Sequence, residues 1–454
     1  MLFVQYYLDC LSQASYLIGD QTTGRAVVVD PRRDVDEYVA DANADGLHID
    51  YVIETHLHAD FLSGHLELAG ATGAEIVYGE AADVDFEHRS VSDGEQIDLG
   101  EVTLEFRATP GHTPESISVV VYDRHGVAAP YGVLTGDTLF IGDVGRPDLV
   151  AARGQSPEDM ARELHRSLHK QLLTLPDETR VFPAHGAGSA CGKSISTATE
   201  STIGEQRQTN YALRLATVDD FIQAVTEGQP PRPDYFERVA ELNREVHELL
   251  HDSPIAQISL DEVVAWQNLG ALIIDVRSPE EFARGHLRES LNVGLEGRFA
   301  EYAADIVDGD APLVIAGDPV HVREARTRLA RVGLDNVLGV LADPEVELSR
   351  RPDLVAVASR LTAQQVRDAL DEISDLLVLD VRSKGERATG YIEGSVNVPL
   401  VQLPGRLRQL NADAPVVTYC AGGYRSSIAA SFLRLRGWHD VSDLIGGYQA
   451  WAAA

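Results

Sequence analysis

Residues 55–65 read "THLHADFLSGH" and set His56, His58 and Asp60 two positions apart, directly behind the apolar run "YVIET". Three more β-rich runs end in a loop that carries a candidate ligand. "LEFRATPGHTPES" delivers His112, "GVLTGDTLF" delivers Asp137 and "RVFPAHG" delivers His185. Glycines beside these positions let the backbone approach closely, as a preorganised cleft requires. A lone histidine is more often a satisfied core residue than a ligand. Imidazoles and carboxylates gathered at successive strand ends, in this order, favour a metal site instead.

Outward from that stretch, residues 1–210 alternate short β-rich runs with loops punctuated by Gly and Pro, among them "RAVVVD", "AEIVYG" and "ISVVVYD". Residues 232–252, "RPDYFERVAELNREVHELLHD", are predicted to form an amphipathic helix with Phe236, Val239, Leu242, Val246 and Leu249 at helical spacing. The remainder is an internal repeat. "LIIDVRSPEEFARGHLRESLNVGL" starts at Leu272 and "LVLDVRSKGERATGYIEGSVNVPL" starts at Leu377. Further on, "APLVIAGDPVHVREARTRLARVGLDNV" matches "APVVTYCAGGYRSSIAASFLRLRGWHDV". Each copy alternates apolar strands with helices, the pattern of a small parallel α/β domain.

At 454 residues the chain exceeds one hydrophobic core and calls for two to four domains. It carries 71 acidic against 38 basic residues, a net charge of −33, and Lys170, Lys193 and Lys384 are its lysines. The acids are dispersed, so the surface repels nucleic acid and anionic membranes. Dispersed acid with almost no lysine resembles the proteins of salt-loving archaea, where salt screens self-repulsion. The N-terminus "MLFVQYYLDC" lacks the features of a signal peptide, and no apolar run is long enough to span a bilayer, so a cytoplasmic location is expected. Three cysteines are too few for a disulfide framework.

The spacing T-H-x-H-x-D, G-H-T, T-G-D and P-A-H-G resembles the metallo-β-lactamase superfamily and, within it, the glyoxalase II-like branch. That branch commonly carries two metals, and its loop reads H-x-H-x-D-H. Here Phe61 stands where the last histidine belongs, and an apolar side chain cannot coordinate. The resemblance then narrows to persulfide dioxygenases, mononuclear non-haem iron enzymes. It implies His56, His112 and Asp137 as the ligands of one Fe(II) per chain, a facial triad with open positions for dioxygen and substrate. It also implies His58, Asp60 and His185 as residues that orient the ligands or bind waters. "GDVGRPD" resembles the family's G-R-x-D stretch and implies that Arg146 holds a substrate carboxylate, where spacing alone allows a salt bridge equally well.

"DVRSxxE", "GxIxGSxNVPL" and "CxGGxRS" resemble the rhodanese, or sulfurtransferase, domain. Cys420 follows "PVVTY" and precedes a helix, where the dipole and loop amides stabilise a thiolate. The resemblance implies Cys420 as the sulfur carrier, with Arg425 adding positive charge and Gly422 and Gly423 freeing amides to cradle a persulfide. Packing of Arg425 against Asp380 or another acid is its bland alternative. In the first copy Gly317 falls opposite Cys420, so that copy is expected to be inactive. Cys191, in "GSACGKS", and Cys10, in "YYLDCLSQ", also fall where this family places cysteines. Each is open to a sulfur-relay role or to a structural one, and Cys10 is expected where the first strand starts.

The expected fold class is therefore α/β and multi-domain. An αββα metallo-β-lactamase-fold domain (1–252, closed by the helix 232–252) is followed by an inactive rhodanese-like domain (253–354) and an active rhodanese domain (355–454). The expected chemistry is iron-dependent oxidation by dioxygen of the persulfide of a low-molecular-weight thiol, such as glutathione or coenzyme A, to sulfite. Sulfur transfer through Cys420 would then consume or form thiosulfate. Two alternatives stand beside it: a zinc-dependent thiolester hydrolase of glyoxalase II type and a non-catalytic sulfur carrier. Self-association is left open.

Overall fold

The computed structural model describes residues 1–149, 154–250 and 255–454. The chain divides into two compact units, one of Met1–Arg232 with Phe236–His251 and the other of Pro233–Tyr235 with Asp252–Ala454.

In the first unit the described residues build two six-stranded sheets. The first sheet runs in sequence order through β1 (Leu2–Leu8), β2 (Gln13–Asp20), β3 (Arg25–Val29), β4 (His48–Ile53), β5 (Glu75–Gly79) and β6 (Arg89–Val91). The second comprises β7 (Gln96–Asp98), β8 (Thr103–Ala108), β9 (Ile117–Tyr122), β10 (Gly132–Gly136), β11 (Arg180–Pro183) and β12 (Ser201–Thr202). Side chains alternate across each sheet with the period of two that strands impose. Val27, Val29 and Ile53 face Leu104, Val119, Val121 and Phe182 in the layer between the sheets. Ala26, Val28 and Val52 turn the other way, onto Tyr38, Ala42 and Leu68 of the helices Asp36–Ala44 and His65–Thr72. Val120, Val133 and Val181 meet Leu164, Leu168 and Phe221 on the far face. The result is an αββα sandwich in which β4, β8, β10 and β11 all lead into the ligand-bearing loops.

The helix expected over 232–252 is a correction. It spans only Tyr235–Leu242. Asn243 then turns its amide into the protein, and Val246 and Leu249 stay 69% and 37% exposed. The position expected to start the first strand is also shifted: Cys10 lies in the turn after β1.

In the second unit the two repeats form separate parallel sheets. One orders Ser290–Asn292, Leu272–Asp275, Leu313–Gly317 and Val337–Ala342. The other orders Ser359–Leu361, Val441–Leu444, Val416–Tyr419, Leu377–Asp380 and Val396–Asn397. Among the described residues no helix is long and apolar enough to cross a membrane.

Candidate metal centre and sulfur-transfer loop

His56 follows β4, His112 follows β8 and Asp137 follows β10, and the three are buried with one ligand atom each inside a 4.8 Å span. His112 Nε2 lies 3.4 Å and His56 Nε2 3.9 Å from Asp137 Oδ2. That oxygen has no hydrogen-bond partner among the described residues. A buried carboxylate oxygen left so costs free energy unless a cation joins it. Gly145 lets the 142–148 loop close over the ligands, because a Cβ there would come within 1.9 Å of the Asp137 carbonyl oxygen.

Neighbouring groups fix the tautomers of both imidazoles. Thr55 Oγ1 donates to Asp30 Oδ2 at 2.8 Å, so at 3.0 Å from His56 Nδ1 it accepts the ring proton. His112 Nδ1 lies 2.9 Å from the Arg146 carbonyl, which can only accept. Each ring therefore presents its Nε2 lone pair toward Asp137. Burial holds His56 well below and His112 below the ordinary imidazole range, so both are neutral donors. Burial would raise Asp137, yet His185, His112 and His56 together hold it below the usual carboxylate range. Two neutral imidazoles and an ionised carboxylate are a donor set that fits a divalent transition metal, and zinc or iron(II) are both compatible with it.

His58 points elsewhere. Its Nε2 lies 3.1 Å from Asp30 Oδ1 and 3.3 Å from Glu54 Oε2. Burial alone would lower its pKa, but the Asp30 and Glu54 carboxylates raise it, so it stands as an imidazolium between two acids. The fully buried Phe61 ring packs on it at 4.4 Å. His185 bridges Asp137 Oδ1 and Asp60 Oδ2, each at 2.7 Å, and these acids outweigh burial to keep it protonated. Asp60, His185 and Cys191 form a second buried cluster within 4.8 Å. Burial and the charges of Asp60 and Asp137 push the Cys191 thiol well up.

Of the two readings open for Arg146, the structure shows an ion pair, with Asp148. Arg146 is fully buried, and its Nε and Nη2 grip Asp148 at 2.7 and 2.8 Å. Nη1 donates to the Ala190 carbonyl and Nη2 also to that of Pro230. Four of its five N–H donors are thereby engaged within the chain, and they organise the loop. Cys10 is partly exposed in a turn whose Ser12 bonds Ala187, beside the His185 loop. A cavity of about 250 Å³ opens beside the ligand loops, lined by Leu57, Ala59, Thr113, Glu115, Arg232 and Phe236.

Three contributors escaped the sequence reading. Asn243 donates to the carbonyls of His58 and Phe61 at 2.8 and 2.9 Å and accepts from Ser63 N at 2.9 Å, pinning the 58–63 loop. Asp30 and Glu54 hold His58. Asp30 ends the run "RAVVVD" as Asp137 ends "GVLTGD", a signal that could have found it; nothing in the sequence marks Asn243.

In the second repeat Cys420 is buried at the end of Val416–Tyr419, and Gly423 N donates to its sulfur at 3.1 Å. Gly423 needs its φ of +103°, where a Cβ would meet Gly446 N at 3.1 Å. Among the described residues Gly422 N makes no hydrogen bond to the sulfur. Arg425 pairs with Glu386 at 2.8 and 2.5 Å, and Asp380 is instead engaged by Arg382, Arg387 and Tyr419. Burial would raise Glu386, but Arg425 holds it at about 2. In the first repeat Gly317 leads into Asp318, whose carboxylate takes the Val320 and His321 amides of the helix Pro319–Ala330. The amide nest that would cradle sulfur is thus occupied by the chain's own acid.

Residues 8–185 match the metallo-beta-lactamase superfamily, and residues 259–342 and 362–454 match the rhodanese-like domain. Among curated proteins the chain is 32% identical over 225 residues to the human mitochondrial persulfide dioxygenase ETHE1, covering 48% of this chain and 78% of that one. It is 31% identical over 242 residues to a probable metallo-hydrolase of Burkholderia pseudomallei, covering 46% and 79%. Among solved structures it resembles a metallo-beta-lactamase from Staphylococcus aureus, with 33% identity, a TM-score of 0.68, and coverage of 75% of this chain and 98% of that one.

Proposed function

Because the chain belongs to the metallo-beta-lactamase superfamily, has persulfide dioxygenases among its relatives and carries tandem rhodanese-like domains in its C-terminal half, we propose that it oxidises thiol persulfides and transfers sulfane sulfur. The net oxidation is RSSH + O₂ + H₂O → RSH + H₂SO₃, in which the outer sulfur gives four electrons to dioxygen. His56, His112 and Asp137 would hold iron(II), which would supply the redox chemistry for the reaction of dioxygen with the persulfide. The observation that carries this reading is the pairing of two neutral Nε2 lone pairs with the otherwise unpartnered Asp137 Oδ2.

The surrounding side chains do the remaining work. Thr55 and the Arg146 carbonyl hold the imidazoles in the binding tautomer. The 250 Å³ cavity beside Thr113 and Glu115 admits the carrier thiol. Phe61 fills the place of a second-metal ligand and packs on His58, whose Nε2 faces Asp30 and Glu54. His185 carries a proton between Asp60 and Asp137. In the rhodanese repeat, Cys420 takes a sulfane sulfur and exchanges it between persulfide and sulfite, so that RSSH and sulfite interconvert with RSH and thiosulfate. Cys191, its thiol kept protonated by burial and by the Asp60 and Asp137 charges, fills the space beside Asp60 and His185, and Cys10 lies in the β1–β2 turn.

One observation favours a second reading. Asp60, His185 and Cys191 are grouped as a second cation site would be, which suits a two-metal thiolester hydrolase. Paired variants test the proposal. His112→Ala is expected to abolish oxygen uptake while keeping sulfur transfer from thiosulfate. Cys420→Ser is expected to do the reverse with preformed persulfide. Loss of both activities in either variant would refute two separable sites, and oxygen-independent thiolester cleavage would favour the hydrolase.

A further inference from the structure

The loop around Cys420 is anchored outside its own repeat. Tyr424 stands between Gly423, whose N–H meets the sulfur, and Arg425, paired with Glu386. Its hydroxyl donates to the Gly294 carbonyl of the first repeat at 2.5 Å. Its ring lies over Gly294 and Gly297, where added Cβ atoms would sit 3.5 and 3.8 Å from ring carbons. The ring of Tyr302, on the first repeat's helix Phe299–Ile306, is 5.7 Å away. Tyr302 also lies close enough to Arg425 for the two groups to feel each other's charge. Seven residues beyond Tyr424, Ser431 Oγ accepts from Asn292 N of the first repeat at 3.0 Å. A repeat without a sulfur site of its own thus keeps a surface fitted to its neighbour's sulfur loop.

We infer that Tyr424 and Tyr302 are positioning residues for sulfur transfer, through which the first repeat holds Gly423 and Arg425 in register around Cys420. This rests on the rhodanese reading of Cys420. In the transfer, the Cys420 thiolate attacks the outer sulfur of thiosulfate, the S–S bond breaks and sulfite leaves with the electron pair. The cysteine persulfide anion then passes that sulfur to cyanide or a thiol, and the thiolate returns. Both anions gain from an aligned amide donor, and a loop freed at Tyr424 lets that amide turn away.

The test uses the full chain with Tyr424→Phe, which keeps the ring and removes its hydroxyl, and Tyr302→Leu, which removes the ring facing Tyr424. Thiosulfate–cyanide transfer gives kcat and KM, and mass spectrometry of the Cys420 peptide follows its rate of alkylation. Tyr424→Phe is expected to lower kcat roughly tenfold at constant KM and to slow alkylation of Cys420 about threefold or more. Tyr302→Leu is expected to shift both in the same direction, less far. Unchanged alkylation and kcat in both variants, beside an active parent, would overturn the inference. So would a fall in kcat that tracks a lower melting temperature with alkylation unchanged. A parent that transfers no sulfur at all would instead overturn the rhodanese reading beneath it.

Discussion

Thr55 carries no charge and binds no metal, yet it decides which nitrogen of His56 faces Asp137. Its hydroxyl gives its proton to Asp30 and receives the one on Nδ1. Thr55→Val keeps the shape and removes both bonds, so metal affinity is expected to fall roughly tenfold to a hundredfold. Competition with a chromophoric chelator measures this, and unchanged affinity would show that burial alone orients the ring. The candidate ligands were legible because each follows an apolar run directly. Their supports were not. Asn243 reaches Phe61 and His58 across 182 and 185 residues of sequence, and such pairings leave no local trace. The internal partners of Arg146 were hidden for a related reason. Its motif reports the loop, whereas its partners Ala190 and Pro230 are set by the fold.

Among elements, the segment 232–252 shows how a periodic pattern can overstate a helix. Apolar residues recur at helical spacing to Leu249, but the chain leaves the helix after Leu242 because Asn243 satisfies three backbone groups of the metal loop. Tertiary hydrogen bonds won over local periodicity. Asn243→Ala leaves those buried groups unpaired and is expected to cost roughly 2–4 kcal/mol in denaturant unfolding, with weaker metal retention. A loss below half a kilocalorie would mean that water replaces the amide. In the first repeat, His286 is buried, stacks on Phe282 at 3.6 Å and bonds its carbonyl at 2.8 Å. Burial pushes its pKa down to about 4 from 6.5. The neutral ring therefore contributes fully above pH 6.5, and that contribution is lost as pH falls through 4. It amounts to roughly 3 kcal/mol. His286→Gln is expected to flatten the dependence of unfolding on pH between 6.5 and 4; an unchanged slope would assign that dependence to the carboxylates.

At the level of the whole molecule, the αββα sandwich and the repeated parallel domains were legible because strand period and internal repetition survive in sequence. Gly317 stands opposite Cys420 in the two copies, and the loops that follow differ: in the first, Asp318 accepts from the Val320 and His321 amides, and in the second, Gly423 N donates to the Cys420 sulfur. What the sequence could not display is that the first repeat contributes Gly294 and Tyr302 to the second repeat's loop, since these lie 130 and 122 residues before Tyr424. The candidate metal centre and the Cys420 loop thus lie in separate units of the chain.

The most direct measurement is metal content together with oxygen uptake on the same purified protein. About one iron per chain, with dioxygen consumed and sulfite formed in equal amounts from a thiol persulfide, is the expected result. Stoichiometric zinc, thiolester hydrolysis and no oxygen uptake would contradict the account.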